Sequence, residues 1–319
     1  MDSFAIGVDL GATTVKSGIV DRTGNVLEQV TVDTKAAEGP ATVIRQILRT
    51  TTELLSRHGK EKCAGLGIGS PGVVNLDSDT VSYPPNFAGW ADVKLATAIA
   101  REYSFPVRVE NDANAAALAE ANYGAGKDHR DFLFVIWGTG IGGGVILDKK
   151  IFHGASGGAG EIGHVTIDYN GPDCNCGNRG CVESYIGQHY LSGRTKDLLR
   201  RMPKNSPPSK ILQLVEGDLE KIEPFIISRA AEQGDATARQ ILKEAGALLG
   251  VALASALNIL DLNIAVIGGG ISAAPQFVFE AISDSIRSRV LEAHRPNVKV
   301  LRATLGNKAG IIGAASLVL

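Results

Sequence analysis

From Phe4 onward, short apolar runs alternate with glycine-bearing turns. FAIGVDL, VKSGIVD and VLEQVTVDT have the length and β-branched content of strands, and GATT and RTGN between them have turn composition. Pro40 is placed to open a helix reaching His58, with Val43, Ile47, Leu54 and Leu55 on its inner face. CAGLGIGS predicts a buried strand. PGVVNLDSDTVSYPPNFAGW, which carries Asn86 and Trp90, predicts a long loop of the binding kind. Asp92 is placed to cap a helix to Tyr103. PVRVE predicts a strand whose end runs into an alanine-rich helix, NDANAAALAEANYG.

A similar plan then recurs. DFLFVIW and GVILDKK read as strands around a GTGIGG turn, with a third strand expected from His164 to Asp168. VDLGATTVKSGIVDRTG and VIWGTGIGGGVILDKK thus look like two copies of one glycine-turned hairpin. Mixed helices follow, with a Pro/Ser/Lys loop at Pro203–Lys210 and a long helix over Ala236–Leu260. NIAVIGGG is a strand ending in glycines, Pro275–His294 a helix, VKVLRATL a last strand and Ala309–Leu317 a terminal helix. Strand hairpins mixed with parallel strands joined by helices predict two α/β domains with mixed sheets. A cleft is expected between the copies.

Composition narrows this reading without redirecting it. The 319 residues are ample for two medium cores, and a net charge of −2 with no basic block or acidic tail points away from nucleic acid. No secretory or transit segment is expected at the N-terminus. The longest apolar run, Ala245–Leu260, is short for a bilayer span and is interrupted by Ser255 and Asn258, so a helix buried on all sides is expected there and no membrane partner. The few cysteines suit a reducing cytoplasm.

Three of the four cysteines, Cys174, Cys176 and Cys181, fall in GEIGHVTIDYNGPDCNCGNRGCVES together with His164. Thiolates and one imidazole make a tetrahedral set suited to a closed, structural Zn²⁺ site, and Gly177 and Gly180 let the backbone wrap for it. The alternatives are a disulfide, which Cys174 and Cys176 are too close to form easily and which strands a third cysteine, or incidental free thiols. A zinc knot would hold Glu161, His164 and Glu183 at fixed separation, the rigidity a polar-ligand site needs. Cys63, outside this stretch, reads as a buried strand residue.

Asp9-Leu10-Gly11-Ala12-Thr13-Thr14 joins two strands. Its glycine and hydroxyls suit an anion, and Asp9 suits Mg²⁺, directly or through water; an ordinary hairpin turn would read the same way. Gly138-Thr139-Gly140-Ile141-Gly142-Gly143 matches G-x-G-x-x-G, but a dinucleotide fingerprint must open a helix and here a strand follows, so a second phosphate-gripping hairpin fits better. Gly59-Lys60 and Gly126-Lys127 lack the Ser/Thr of a Walker A loop. Gly268-Gly269-Gly270 suits the flat approach of a nucleoside, and equally a tight βα turn. In Glu110-Asn111-Asp112-Ala113-Asn114, at a strand's carboxyl end, Asp112 is placed to accept a hydroxyl proton and Asn111 to bond hydroxyls, with one of the two serving as helix N-cap and leaving the other free.

Taken together, DLGATTVK, the SPGVV–PPNFAGW loop, ENDANAA, the GTGIGGG–GEIGH span and CNCGNRGCVES resemble the ROK family of sugar kinases and repressors, in particular its bacterial glucokinases, over essentially the whole chain. The resemblance implies an α/β, two-domain actin-like ATPase (ribonuclease H-like) fold with mixed sheets and an interdomain cleft closing on ATP and a hexose. It implies a small domain of residues 1–112 plus 306–319 and a large one of 113–305 bearing a zinc element at 164–181. It implies Asp112 as base for the sugar 6-hydroxyl and Asn86, Asn111, Glu161, His164 and Glu183 as sugar ligands. His164, Cys174, Cys176 and Cys181 would be the zinc set. Asp9, Gly11, Thr13, Thr14, Thr139 and Gly140 would contact phosphate and Mg²⁺, Gly269 would contact the nucleoside, and the protein would be a cytoplasmic homodimer. With the first strand at Phe4, the repressors' DNA-binding domain is expected to be missing. Another sugar, a polyphosphate donor, and a non-catalytic sugar-sensing protein are the alternatives; an NAD-dependent enzyme fails on the context of its motif.

Overall fold

The computed structural model describes residues 3–75, 80–203 and 209–319. Part of the loop expected after Pro71 and most of that expected at Pro203–Lys210 lie outside the described residues. By contact density the chain divides into two compact units: residues 1–134, 144–160 and 303–319 form the first, and 135–143 with 161–302 the second. The helix opening at Asp112 therefore groups with the first unit, where the sequence reading had placed a domain boundary.

The first unit opens with β1 (Phe4–Leu10), β2 (Thr14–Val20) and β3 (Val26–Asp33), followed by α1 (Pro40–His58) and β4 (Cys63–Ser70). A small hairpin of β5 (Val73–Asn75) and β6 (Thr80–Ser82) precedes α2 (Leu95–Ala100), β7 (Val107–Asn111) and α3 (Asp112–Tyr123). The sheet order is β3-β2-β1-β4-β7, antiparallel in the β1–β3 meander and parallel across β1, β4 and β7. The chain continues through β8 (Phe132–Trp137), β9 (Ile141–Leu147) and β10 (Lys150–Ile151). Helices α4 (Glu183–Ile186), α5 (Gln188–Arg201), α6 (Lys210–Leu214), α7 (Pro224–Glu232) and α8 (Ala236–Leu260) come next. Then follow β11 (Ile264–Gly268), α9 (Gln276–Arg287), β12 (Lys299–Arg302) and α10 (Ala309–Ser316). The second sheet, ordered β10-β9-β8-β11-β12, repeats the plan of the first: a meander, then two strands on its inner side.

Period-two alternation explains the layering of the first unit. Phe4, Ile6, Val8 and Leu10 of β1 and Leu66 and Ile68 of β4 share a core cluster with Val43, Ile47 and Leu54 of α1. The opposite face of the same strands is Ala5 and Gly7, and Gly65, Gly67 and Gly69. There the C-terminal α10 lies almost on the backbone: a Cβ at Gly7 would stand 1.9 Å from the Ile311 carbonyl oxygen, and one at Gly67 would stand 1.7 Å from that of Ala314. Gly67→Ala should therefore lower the melting temperature, with an overpacking cost of about 1–3 kcal/mol or more. An unchanged melting temperature would mean that α10 can withdraw at no cost.

Several local expectations are corrected. The third strand expected at His164–Asp168 is a 3-10 turn, Ile162–His164, followed by a single bridge between Thr166 and Cys181. The His164 and Val165 N–H groups donate to Glu161 and Ile162 carbonyls instead of to a neighbouring strand, and the short β10 takes the third place in the meander. Helix α2 begins at Leu95 and not at Asp92, because Val93 is bridged to Val81 and the Asp92 carboxylate accepts from the Ser82 hydroxyl at 2.5 Å. Among the described residues α8 is the one helix long and apolar enough to cross a membrane by length and composition. It is not buried on all sides: Leu242, Leu249, Leu253 and Leu257 are enclosed, while Ile259 is 83% exposed. Cys63 is only half-buried at the start of β4, with its thiol pushed up to about 11, mainly by burial.

Candidate functional site

Parallel pairing aligns the carboxyl ends of β1, β4 and β7: Asp9 pairs with Gly69, Gly69 with Glu110, and Ser70 with Asn111. Asp9 and Asn111 therefore lie two strands apart at one edge of the sheet, roughly 10 Å by the usual strand spacing. Asp112 follows at the start of α3, and its Cα would be 3.6 Å from a Cβ on Gly69. Three sequence-distant segments are thus brought together where open α/β sheets bind ligands.

Asn111 is the N-cap of α3, its Oδ1 accepting from the Ala113 and Asn114 N–H groups at 2.9 and 3.1 Å. Its Nδ2 donates to the Gly72 carbonyl at 3.1 Å, which leaves one amide hydrogen for a ligand. The expectation that the other residue of the pair would be free is corrected, because the Asp112 Oδ1 also accepts from the Ala113 N–H, at 2.8 Å. Gly72 roots the loop that presents Asn86. Phe87 and Trp90 anchor that loop in the core, in edge-to-face contact with ring centroids 5.1 Å apart. Between them and Pro84 the exposed Asn86 is held at φ 68°, a left-handed conformation uncommon outside glycine and of the kind found at ligand clamps.

The first glycine hairpin is closed by the Gly11 N–H donating to the Thr14 carbonyl at 3.0 Å, with Thr13 exposed at its tip. Burial raises the Asp9 carboxyl above its ordinary range, opposed by Lys16, whose Nζ is 3.6 Å away. Gly310, near the start of α10, faces this carboxylate, and a Cβ there would stand 2.8 Å from its Cγ.

In the second unit, Gly138 N–H donates to the Gly140 carbonyl at 3.0 Å, folding the β8–β9 turn tightly around Thr139. The Glu183 Oε2 accepts the Ile141 N–H at 2.7 Å, so the acid expected to meet sugar also braces this hairpin. Gly140 lies against the same carboxylate, where a Cβ would be 2.6 Å from Oε2. Gly269, at φ 81°, abuts the backbone of Trp137; a Cβ would be 2.4 Å from its carbonyl oxygen, so only glycine fits. Glu183, Thr139, Gly140 and Gly269 are therefore neighbours around one turn.

The ligand atoms of His164, Cys174, Cys176 and Cys181 all lie within 4.8 Å of one another. The Cys176 and Cys181 sulfurs are 3.7 Å apart, and the Cys174 sulfur is 3.8 Å from His164 Nδ1. A tetrahedron with Zn–S bonds of about 2.3 Å has edges of roughly 3.8 Å, so the donors fit zinc. Gly177 and Gly180 make the wrap with φ of 87° and 68°; a Cβ on Gly180 would strike the Asp168 carbonyl at 1.7 Å. Burial pushes the Cys181 thiol up to about 12, so ionising it calls for a cation. His164 Nε2 turns away from the sulfurs, 3.9 Å from Glu161 Oε2. Sequence reading missed Glu110 and His153, which support the Asn111 turn; no spacing signal links two residues 43 apart.

Repeated sheets of this order, each ending in a glycine hairpin, make the chain a two-unit protein of the actin-like ATPase fold. The sequence profile of the ROK family matches residues 5–319, and the chain belongs to that family. It is 36% identical to the glucokinase of Thermotoga maritima over 98% of this chain and 96% of that protein. It is 31% identical to the xylose repressor of Bacillus subtilis, over 99% of this chain but 77% of the repressor. Its fold matches the crystal structure of a ROK family glucokinase from Streptomyces griseus in complex with glucose and AMPPNP, with a TM-score of 0.84, 35% identity and 99% coverage of both chains.

Proposed function

We propose that this protein transfers the γ-phosphoryl group of ATP to the 6-hydroxyl of a hexose, glucose foremost, with Asp112 as the general base. The observation that carries the reading is the alignment of Asp9 and Asn111 at the carboxyl ends of β1 and β7, with Asp112 next in chain, in one unit, while the other unit packs Glu183 against its glycine hairpin. The similarity to a glucokinase crystallised with glucose and a nucleotide analogue supports it.

Phosphoryl transfer asks the protein for positioning and charge neutralisation more than for covalent chemistry. Asp9 would hold Mg²⁺: its half-buried carboxyl, raised by burial, would be stabilised in its charged form by a cation, and Gly310 leaves its flank clear. The ion neutralises phosphate charge when bound. Gly11, Thr13 and Thr14, with Thr139 and Gly140, offer backbone N–H groups and hydroxyls to the phosphates, and Gly269 lies flat for the nucleoside. Asn86, Asn111, Glu161, His164 and Glu183 grip the sugar hydroxyls. His164, Cys174, Cys176 and Cys181 would hold zinc, which would fix the loop between Glu161 and Glu183. Asp112 takes the 6-hydroxyl proton as the oxygen attacks phosphorus. The protein works in the cytoplasm as a homodimer.

A panel of hexoses and N-acetylhexosamines, each offered with ATP or polyphosphate, tests the proposal through product release. Glucose-dependent ADP formation is the expected result. Binding of sugar with no sugar phosphate formed from any pairing would overturn it in favour of a sugar-sensing protein without catalysis.

A further inference from the structure

We propose that Glu110 and His153 form a positioning pair that holds the Asn111–Asp112 turn in register for catalysis; this rests on the reading of Asp112 as the base. Glu110 is only 3% exposed, and its two oxygens divide their work. Oε1 accepts the Asn111 backbone N–H at 2.9 Å and the Asn114 Nδ2 at 3.1 Å. Oε2 lies 2.6 Å from His153 Nε2, within hydrogen-bond distance.

The Asn111 N–H sits at the junction where β7 becomes α3, and a buried N–H without a partner is costly. Glu110 supplies that partner and ties it to Asn114, one turn into the helix. The Asn111 backbone before Asp112 and the Asn114 side chain after it are thereby bound to a single carboxyl group. His153 holds that group from a segment 43 residues away in sequence, so the carboxyl cannot swing off the turn. Neither residue is placed to touch sugar or phosphate in the proposed site. Their effect acts through the geometry of the base, and a displacement of about 1 Å at a reacting group can cost roughly 10²-fold in rate.

Four variants test the pair. Glu110→Ala and His153→Phe should lower kcat by about 10- to 100-fold while the KM for ATP stays near that of wild type. Glu110→Gln keeps the Oε1 acceptor and offers its amide N–H to the imidazole; His153→Gln keeps a donor at the Nε2 position. Both should recover most of the lost kcat, which a generally weakened fold would not allow. If Glu110→Ala fails to fold, His153→Phe against His153→Gln makes the same comparison. Wild-type kcat in His153→Phe, or no recovery in either glutamine variant, would overturn the pairing even though Asp112→Asn is inactive. A wild-type protein that forms no ADP with any sugar, or an Asp112→Asn variant with full turnover, would instead overturn the reading of the base, and the pairing with it.

Discussion

Asp112→Asn is expected to lower kcat by about 10²- to 10⁴-fold, the usual contribution of a positioned base, with little change in the KM for sugar. The substitution isolates proton transfer from structure. Asn keeps an Oδ1 to accept the Ala113 N–H, which Asp112 accepts at 2.8 Å, and Asn111 remains the cap of α3. The helix start should therefore be intact, and the variant should stay folded, which its melting temperature checks. The measurement is steady-state kinetics on glucose with ATP. Turnover within tenfold of wild type would remove Asp112 from the base role, since general-base loss is rarely so mild.

Stripping the cysteine cluster of metal should be the second large effect. Elemental analysis is expected to find zinc in active protein, and either a strong chelator or Cys176→Ser should release it. The cluster is built on short turns, with the Cys174 N–H donating to the Asn178 carbonyl and the Gly177 N–H to that of Cys174, while the Thr166–Cys181 bridge ties it to the segment after His164; metal would add the bonds that hold the three sulfurs and the imidazole together. Glu183 lies two residues past Cys181, so its brace on Ile141 would loosen as well. Sugar affinity should fall first: the KM for sugar should rise by roughly tenfold or more, in keeping with the steep cost of misplacing a contact by about 1 Å. After chelation a thiol-reactive probe should label the exposed Cys176, while the half-buried Cys63, its thiol pushed up to about 11, stays slow. Fully active protein free of zinc would refute the structural role.

Much of the fold was readable because the signals are local. Strand β1, helix α1, strand β4 and helix α10 begin where their apolar periodicity and punctuating residues place them, and the doubled glycine hairpin pointed to two similar α/β units, each with its own sheet. Ligand spacing likewise announced the Cys/His cluster, because donors close in sequence need only a turn to converge. The strand expected at His164–Asp168 failed for a related reason: the turns that converge the donors satisfy that backbone locally.

By itself, then, the sequence determined most of the order of strands and helices, the two hairpins, the Cys/His cluster and the membership of Asn111 and Asp112 in one turn. Only the tertiary structure decided that Gly7 and Gly67 form a bed for α10, that Glu183 braces Ile141, and that His153 reaches Glu110. Periodicity records which residues avoid water, since burial acts on each side chain alone. Which backbone a glycine admits, and which distant donor meets a buried carboxyl, depends on packing between segments far apart in the chain, and no local pattern carries that information.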